Sequence, residues 1–286
     1  MAEKELDRLR KEFVSRVSQE NLKELLEAFV TDGILNDLEK ESILEENQSR
    51  ADRNYPVTEE SISKRVALLI TNKTFNRYST RHGAEKDDYK MHCMLAELGY
   101  DVVKYKNLTA KKIEEALQKF SKHPQLVHTD SVFVVIMSHG SLGAVCGTDC
   151  KPFKTENIYK LLNTENCPAL HNKPKVIIIQ ACRGGENSSL FASGRNIETD
   201  AVVHKEKDFI SLLSCTPNTV SYRDPSYGSF FIQYIVEVFN EFAHEDHIDE
   251  LFRKVMQRFE ESDFGGIQMP SKDRCTLTKN FYLLDY

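Results

Sequence analysis

Apolar residues fall into two rhythms along this chain, and the change between them near Lys64 marks its main division. Before that point the spacing is helical: Leu6, Leu9, Phe13 and Val17 recur three or four residues apart, and Leu22, Leu25, Leu26 and Phe29 repeat the pattern over Asn21 to Val30. Thr31-Asp32-Gly33 punctuates, and Asn36 or Asp37 can cap a third helix ending near Glu46. Residues 1–52 thus read as a thin helical segment, and the polar stretch 53–64, with Pro56, as a linker.

After Lys64, short β-branched runs alternate with longer helical patterns. Strands are expected at Val66–Ile70, Val102–Tyr105, Val132–Met137, Val176–Ile179, Phe209–Leu213 and Cys275–Leu284. Helices are expected at Ala84–Leu98, Ala110–Phe120, Thr155–Leu162, Ser229–Phe242 and Ile248–Glu260. Continuous apolar strands separated by helices predict an α/β domain over 65–286, with its sheet covered on both faces. The rhythm lapses between Gly184 and Glu206, and a loop of that length inside a compact domain is often functional.

Charge sharpens the division. Residues 1–52 carry 8 Lys/Arg and 14 Asp/Glu, whereas the rest carries 30 of each, so the net charge of −6 sits in the first fifth of the chain. The main domain has no basic excess with which to displace counterions, which excludes nucleic acid as its expected partner. No stretch approaches the roughly 20 apolar residues of a membrane span, and the charged N-terminus is no secretory signal. Seven cysteines, an odd number without scaffold spacing, fit free thiols in a reducing cytoplasm. Cys146 and Cys150 are four apart with no second pair or suitably spaced histidine, so no metal site is expected.

Two strand ends carry reactive side chains beside glycine: Met137-Ser138-His139-Gly140 and Gln180-Ala181-Cys182-Arg183-Gly184. Open α/β sheets form their sites at the carboxyl ends of strands. A thiol with a pKa near 8.5 needs a partner to act as a nucleophile at neutral pH, and an imidazole can take its proton or protonate a leaving amine. The backbone N–H groups of Gly140 and Cys182 are candidate oxyanion donors. Taken singly, a strand-end cysteine is more often a small buried residue and a strand-end histidine a hydrogen-bonded surface group; their conjunction is far less common.

Gln-Ala-Cys-Arg-Gly with a histidine 43 residues upstream is the caspase signature, and residues 62–286 resemble that family. Lys173-Pro-Lys-Val-Ile-Ile-Ile-Gln-Ala-Cys-Arg-Gly, Leu162-Asn-Thr-Glu-Asn-Cys-Pro and Phe252-Arg-Lys-Val are similar to its inflammatory, interleukin-converting branch. The resemblance implies a three-layer α/β/α domain with a mostly parallel six-stranded sheet. It implies an endopeptidase cutting after aspartate (the P1 residue), with Cys182 and His139 catalytic and no cofactor. Arg81, Gln180 and Arg223 would hold the P1 carboxylate, beside Ser221 and Tyr222. Tyr222 stands where inflammatory members usually carry tryptophan, which leaves the upstream preference open.

Further implications concern processing and assembly. Ile197-Glu198-Thr199-Asp200 looks like a substrate sequence in the lapse, so a zymogen cut after Asp200 into a large (65–200) and a small (201–286) subunit is expected, with Asp52 as a second candidate cut. The apolar segment Cys275–Leu284 is expected to pair with its twin in a homodimer, or in two large plus two small chains. Residues 1–52 resemble the opening half of a caspase recruitment domain, a bundle of six helices when complete; truncation by splicing is one account, and recruitment-domain partners are left open. The role expected is in inflammatory or cell-death signalling. The alternative is a catalytically silent regulatory or decoy relative acting by dimerisation.

Overall fold

A computed structural model of the protein describes residues 19–184, 206–262 and 268–284. The first expected helix, and the expected cleavage site at Asp200, lie outside the described residues. Helices α1 (Gln19–Thr31) and α2 (Asp37–Arg53) pack through Leu22, Leu26 and Ile43. Asn36 caps α2 reciprocally: its Oδ1 accepts from the Glu39 N–H, and Glu39 Oε2 accepts from the Asn36 N–H, each at 2.9 Å. The helix then runs to Arg53, past the expected end near Glu46.

Residues 53–64, read as a linker, are in part sewn to the main domain. Tyr55 is buried, its hydroxyl donates to Asp208 Oδ1 at 2.6 Å, and its N–H donates to the Asn280 carbonyl. A short helix α3 (Glu59–Ile62) follows, closed by a Thr58–Ser61 capping box.

The core is a six-stranded sheet. Along the chain come β1 (Val66–Thr71), α4 (Ala84–Glu97), β2 (Asp101–Lys106), α5 (Ala110–Phe120) and β3 (Val132–Met137). A small antiparallel sheet, β4 (Gly140–Ser141), β5 (Ala144–Cys146) and β6 (Pro152–Lys154), precedes α6 (Glu156–Leu162) and β7 (Lys175–Gln180). Then come β8 (Phe209–Leu213), the hairpin β9 (Arg223–Asp224) and β10 (Gly228–Ser229), α7 (Phe230–Phe242), α8 (Ile248–Glu260) and β11 (Ser271–Asp273). The strand order is β11-β8-β7-β3-β1-β2, parallel except for β11 against β8.

Every residue of β1, β3, β7 and β8 is buried, which is why these strands read as unbroken apolar runs. Alternate residues feed opposite layers. Leu69, Phe133, Val135 and Ile178 meet α4, α7 and α8 through Met91, Phe239 and Phe252, while Leu68, Val134, Ile136 and Ile177 meet α5 and α6 through Ile113, Leu117 and Ile158. Each such side chain contributes about 1.5–3 kcal/mol on burial, which makes the central strands a firm platform for whatever follows their ends.

One expected strand is corrected. The sixth strand is Ser271–Asp273, not Cys275–Leu284. Arg274 adopts φ 45°, which breaks the ladder after three residues. Beyond it, Thr276 still exchanges bonds with Asp208 and Phe209, but the chain then leaves the sheet. Phe281 and Leu283 alternate because they plug the helical layer, and Tyr282 faces His247 across an isolated bridge. Period-two alternation reports one buried side and does not say whether a sheet or a helix layer covers it.

Candidate active site

Strands β3 and β7 lie side by side with Met137 opposite Gln180, and the Ser138 N–H donates to the Gln180 carbonyl at 3.0 Å. His139 and Cys182 therefore leave the sheet at equivalent positions. Gly140 sits hard against the other strand end. A Cβ there would lie 2.8 Å from Ala181 Cβ and the Ala144 carbonyl and 2.9 Å from the Cys182 carbonyl, closer than real side chains approach.

His139 is half-buried between the rings of Phe75 and Tyr78, with centroids 4.7 and 5.4 Å away. Its Nε2 is 2.8 Å from the Ser79 carbonyl. A carbonyl only accepts, so Nε2 carries the proton and Nδ1 is the free nitrogen of the neutral ring. Burial holds the imidazole below its ordinary pKa; the Ser79 carbonyl opposes this, and the Arg81 and Arg223 cations add to it. The Cys182 thiol, half-buried, donates to the Ser221 carbonyl at 3.9 Å.

The cationic side of the site is built on three segments. Arg81 is 1 % exposed; its Nη1 donates to the Asn72 carbonyl at 2.8 Å, while Nη2 is buried without a hydrogen-bond partner. Burial first, and Arg223 second, pull its pKa down to about 10. Gln180 is buried with Nε2 2.7 Å from Ser221 Oγ, and its Oε1 has no partner. Arg223, half-buried, donates from Nε to the His82 carbonyl at 2.6 Å. Tyr222 beside it is partly exposed. Unpartnered buried donors are costly, and an anion entering between the two guanidinium groups would relieve that cost.

Sequence reasoning missed the frame around these groups. Asn72 carries Arg81 on its carbonyl, and its side chain ties together Leu108, Ser138 and Cys146. Asp87 is fully buried; its carboxylate accepts from the Ser229 N–H at 2.7 Å and Oγ–H at 2.6 Å, which holds the β9–β10 hairpin that carries Arg223. Desolvation pushes Asp87 upward, against those bonds and the nearby Arg81 and Arg223. Its only sequence signal was a carboxylate on the buried face of α4. Gly83, at φ 85°, lets the Arg81 loop touch the same hairpin, since a Cβ would lie 2.6 Å from the Asp224 carbonyl.

All seven cysteines are free thiols. Among the described residues, no group of three or more His, Cys, Asp or Glu side chains could hold a metal ion, and no helix is long and apolar enough to cross a membrane.

An open α/β sheet presenting a thiol and an imidazole at adjacent strand ends has the form of a cysteine peptidase. Residues 64–282 match the family model described as Caspase domain, and the chain belongs to the caspase family, a family of aspartate-specific cysteine endopeptidases. Caspase a of Danio rerio is 48 % identical over 260 residues, covering 85 % of this chain and 67 % of that protein. Caspase-1 of Felis catus is 40 % identical over 264 residues (82 % and 64 %), and Caspase-4 of Mus musculus 41 % over 249 residues (80 % and 66 %). The chain thus spans about two thirds of the length of these curated relatives. The crystal structure of Caspase-1 from Spodoptera frugiperda superposes with a TM-score of 0.70 at 23 % identity, covering 82 % of this chain and 94 % of that one, and shares the fold.

Proposed function

We propose that this chain is a cysteine endopeptidase that cuts after aspartate. The observation that carries the reading is the orphaned buried donor Arg81 Nη2, next to the strand ends that hold His139 and Cys182. A substrate aspartate would lay its carboxylate between Arg81 and Arg223, where charge-assisted hydrogen bonds are strong. Gln180, Ser221 and Tyr222 complete that wall.

Cys182 Sγ would attack the scissile carbonyl carbon, and the N–H groups of Gly140 and Cys182 would take the oxyanion. The thiol proton passes to His139, which returns it to the leaving amine; water then hydrolyses the thioester and regenerates the thiol. The substrate carboxylate offsets the two arginine charges that depress His139, so binding itself favours the protonated imidazole needed for amine departure.

Maturation by cleavage near Asp200, assembly as a homodimer or as two large and two small chains, a cytoplasmic setting for the free thiols, and a role in inflammatory or cell-death signalling belong to the same proposal. They are supported by the resemblance to the inflammatory branch. The edge strand for pairing is β11. The intact set of site residues speaks against a silent decoy.

The test is hydrolysis of fluorogenic peptides with Asp, Asn or Glu at P1, across protein concentration, with Cys182→Ala alongside. Turnover confined to Asp, lost in the variant and rising faster than linearly with protein, is expected. No turnover, even after deliberate cutting at Asp200, would overturn the reading.

A further inference from the structure

Gln268 belongs to no motif, yet it is 2 % exposed and uses its whole amide. Its Nε2 donates to the Ser214 carbonyl at 2.8 Å and to Ser221 Oγ at 3.1 Å, and its Oε1 accepts from the Tyr222 N–H at 2.8 Å. The two backbone contacts are of opposite kind, since a carbonyl only accepts and an N–H only donates. They fix which end of the Gln268 amide is which.

That polarity propagates. Gln268 Nε2 donates to Ser221 Oγ, and as placed Gln180 Nε2 donates to the same oxygen at 2.7 Å, so that turning the Gln180 amide end for end would bring its carbonyl oxygen to the Ser221 hydroxyl. A hydroxyl whose oxygen already accepts has a proton to give. Given to the Gln180 carbonyl oxygen, it turns the Gln180 NH2 into the pocket. The orientation in which Gln180 Nε2 donates to Ser221, as placed here, leaves Gln180 Oε1 buried without a partner, and an acceptor in that wall would repel a carboxylate. Gln268 thereby reaches the pocket through Ser221, whose own carbonyl also receives the Cys182 thiol.

We propose that Gln268 is a positioning residue for P1 selection: through Ser221 it sets the Gln180 amide as a donor toward an acidic side chain. The inference rests on the aspartate pocket proposed above. It assigns a specificity role to a residue 45 positions beyond Arg223, just before the edge strand.

The experiment is steady-state hydrolysis of matched P1 Asp and P1 Asn peptides by the full chain carrying Gln268→Met, with Gln180→Leu and the double variant. Gln268→Met is expected to raise KM for the Asp peptide by about tenfold, the worth of one net hydrogen bond, with little change in kcat and a smaller Asp-to-Asn preference. In the Gln180→Leu background it should add almost nothing, because the two act through one chain of bonds. Gln268→Glu serves as a second variant: it accepts from both Tyr222 and Ser221, reverses the relay and should shrink the preference further. Unchanged Asp-to-Asn preference in both variants, full additivity with Gln180→Leu, or a fall in kcat that merely tracks a lowered melting temperature would overturn the proposal. A wild-type chain that does not cut after Asp would instead overturn the pocket reading beneath it.

Discussion

Met137 and Gln180 are register partners on adjacent parallel strands, and each is followed two residues later by a reactive side chain, His139 and Cys182. Equal offsets from a paired rung mean that the imidazole and the thiol are delivered together by backbone hydrogen bonding and need no loop to fold over them. The strands beneath are buried on both faces, so their ends are held by the core.

The arginine pocket makes the sharpest functional prediction. Arg81→Met fills most of the volume and removes the charge. It should cut kcat/KM for P1 Asp peptides by a hundredfold or more, about 3 kcal/mol for a buried charged contact. The melting temperature should hold or rise, because an imperfectly paired buried cation is costly to the fold. Peptide kinetics with a parallel thermal melt check both halves; retained activity would refute the assignment.

Gly140 should tolerate no Cβ. Two of the three atoms that an alanine would strike at 2.8–2.9 Å are backbone carbonyl oxygens, and neither can swing aside as a long side chain would. Gly140→Ala should lose roughly 1–3 kcal/mol of stability through overpacking and should lower kcat more than KM by displacing the proposed oxyanion donor. Unfolding in urea and initial-rate kinetics separate these effects.

The acid limb of activity should reflect a depressed histidine. Folding lowers the His139 pKa from 6.5, through burial and the two arginines. The unfolded chain therefore binds more protons below that value. The neutral ring's contribution to stability is complete above 6.5 and is lost as pH falls through the lower folded pKa. Arg223→Gln removes one of the repelling cations, so it should raise the imidazole pKa; NMR titration in a Cys182→Ala background reads this directly. No upward movement would show that Arg223 does not help to set the value.

The docked segment before β1 should matter to stability and not to chemistry. Tyr55→Phe deprives buried Asp208 of its hydroxyl partner and the Thr278 N–H of its acceptor. The burial and bonding that push the Tyr55 pKa up to about 12 are those of a well-anchored phenol. A loss of about 1–3 kcal/mol is expected, seen as a lower melting temperature with kcat/KM unchanged at 25 °C.

The central strands and the points where they end were legible in sequence because a strand buried on both faces must be continuously apolar, and such runs stop abruptly where the chain leaves the sheet. The five expected helices of the main domain appear within a few residues of their observed ends. The sixth strand was misread because Phe281 and Leu283 alternate just as a strand would, while what covers them is a helical layer. Asn72 and the Ser79 carbonyl left no sequence signal, and Asp87 only a carboxylate on the buried face of α4: an amide and a backbone oxygen have no characteristic spacing. Chain order, hydrophobic period and short motifs by themselves determined that a sheet would carry His139 and Cys182 at its strand ends. Only the tertiary structure decided their surroundings, because Arg81, Gln180, Arg223 and Gln268 come from segments far apart in sequence, and their burial, charge and hydrogen-bond polarity exist only once those segments meet.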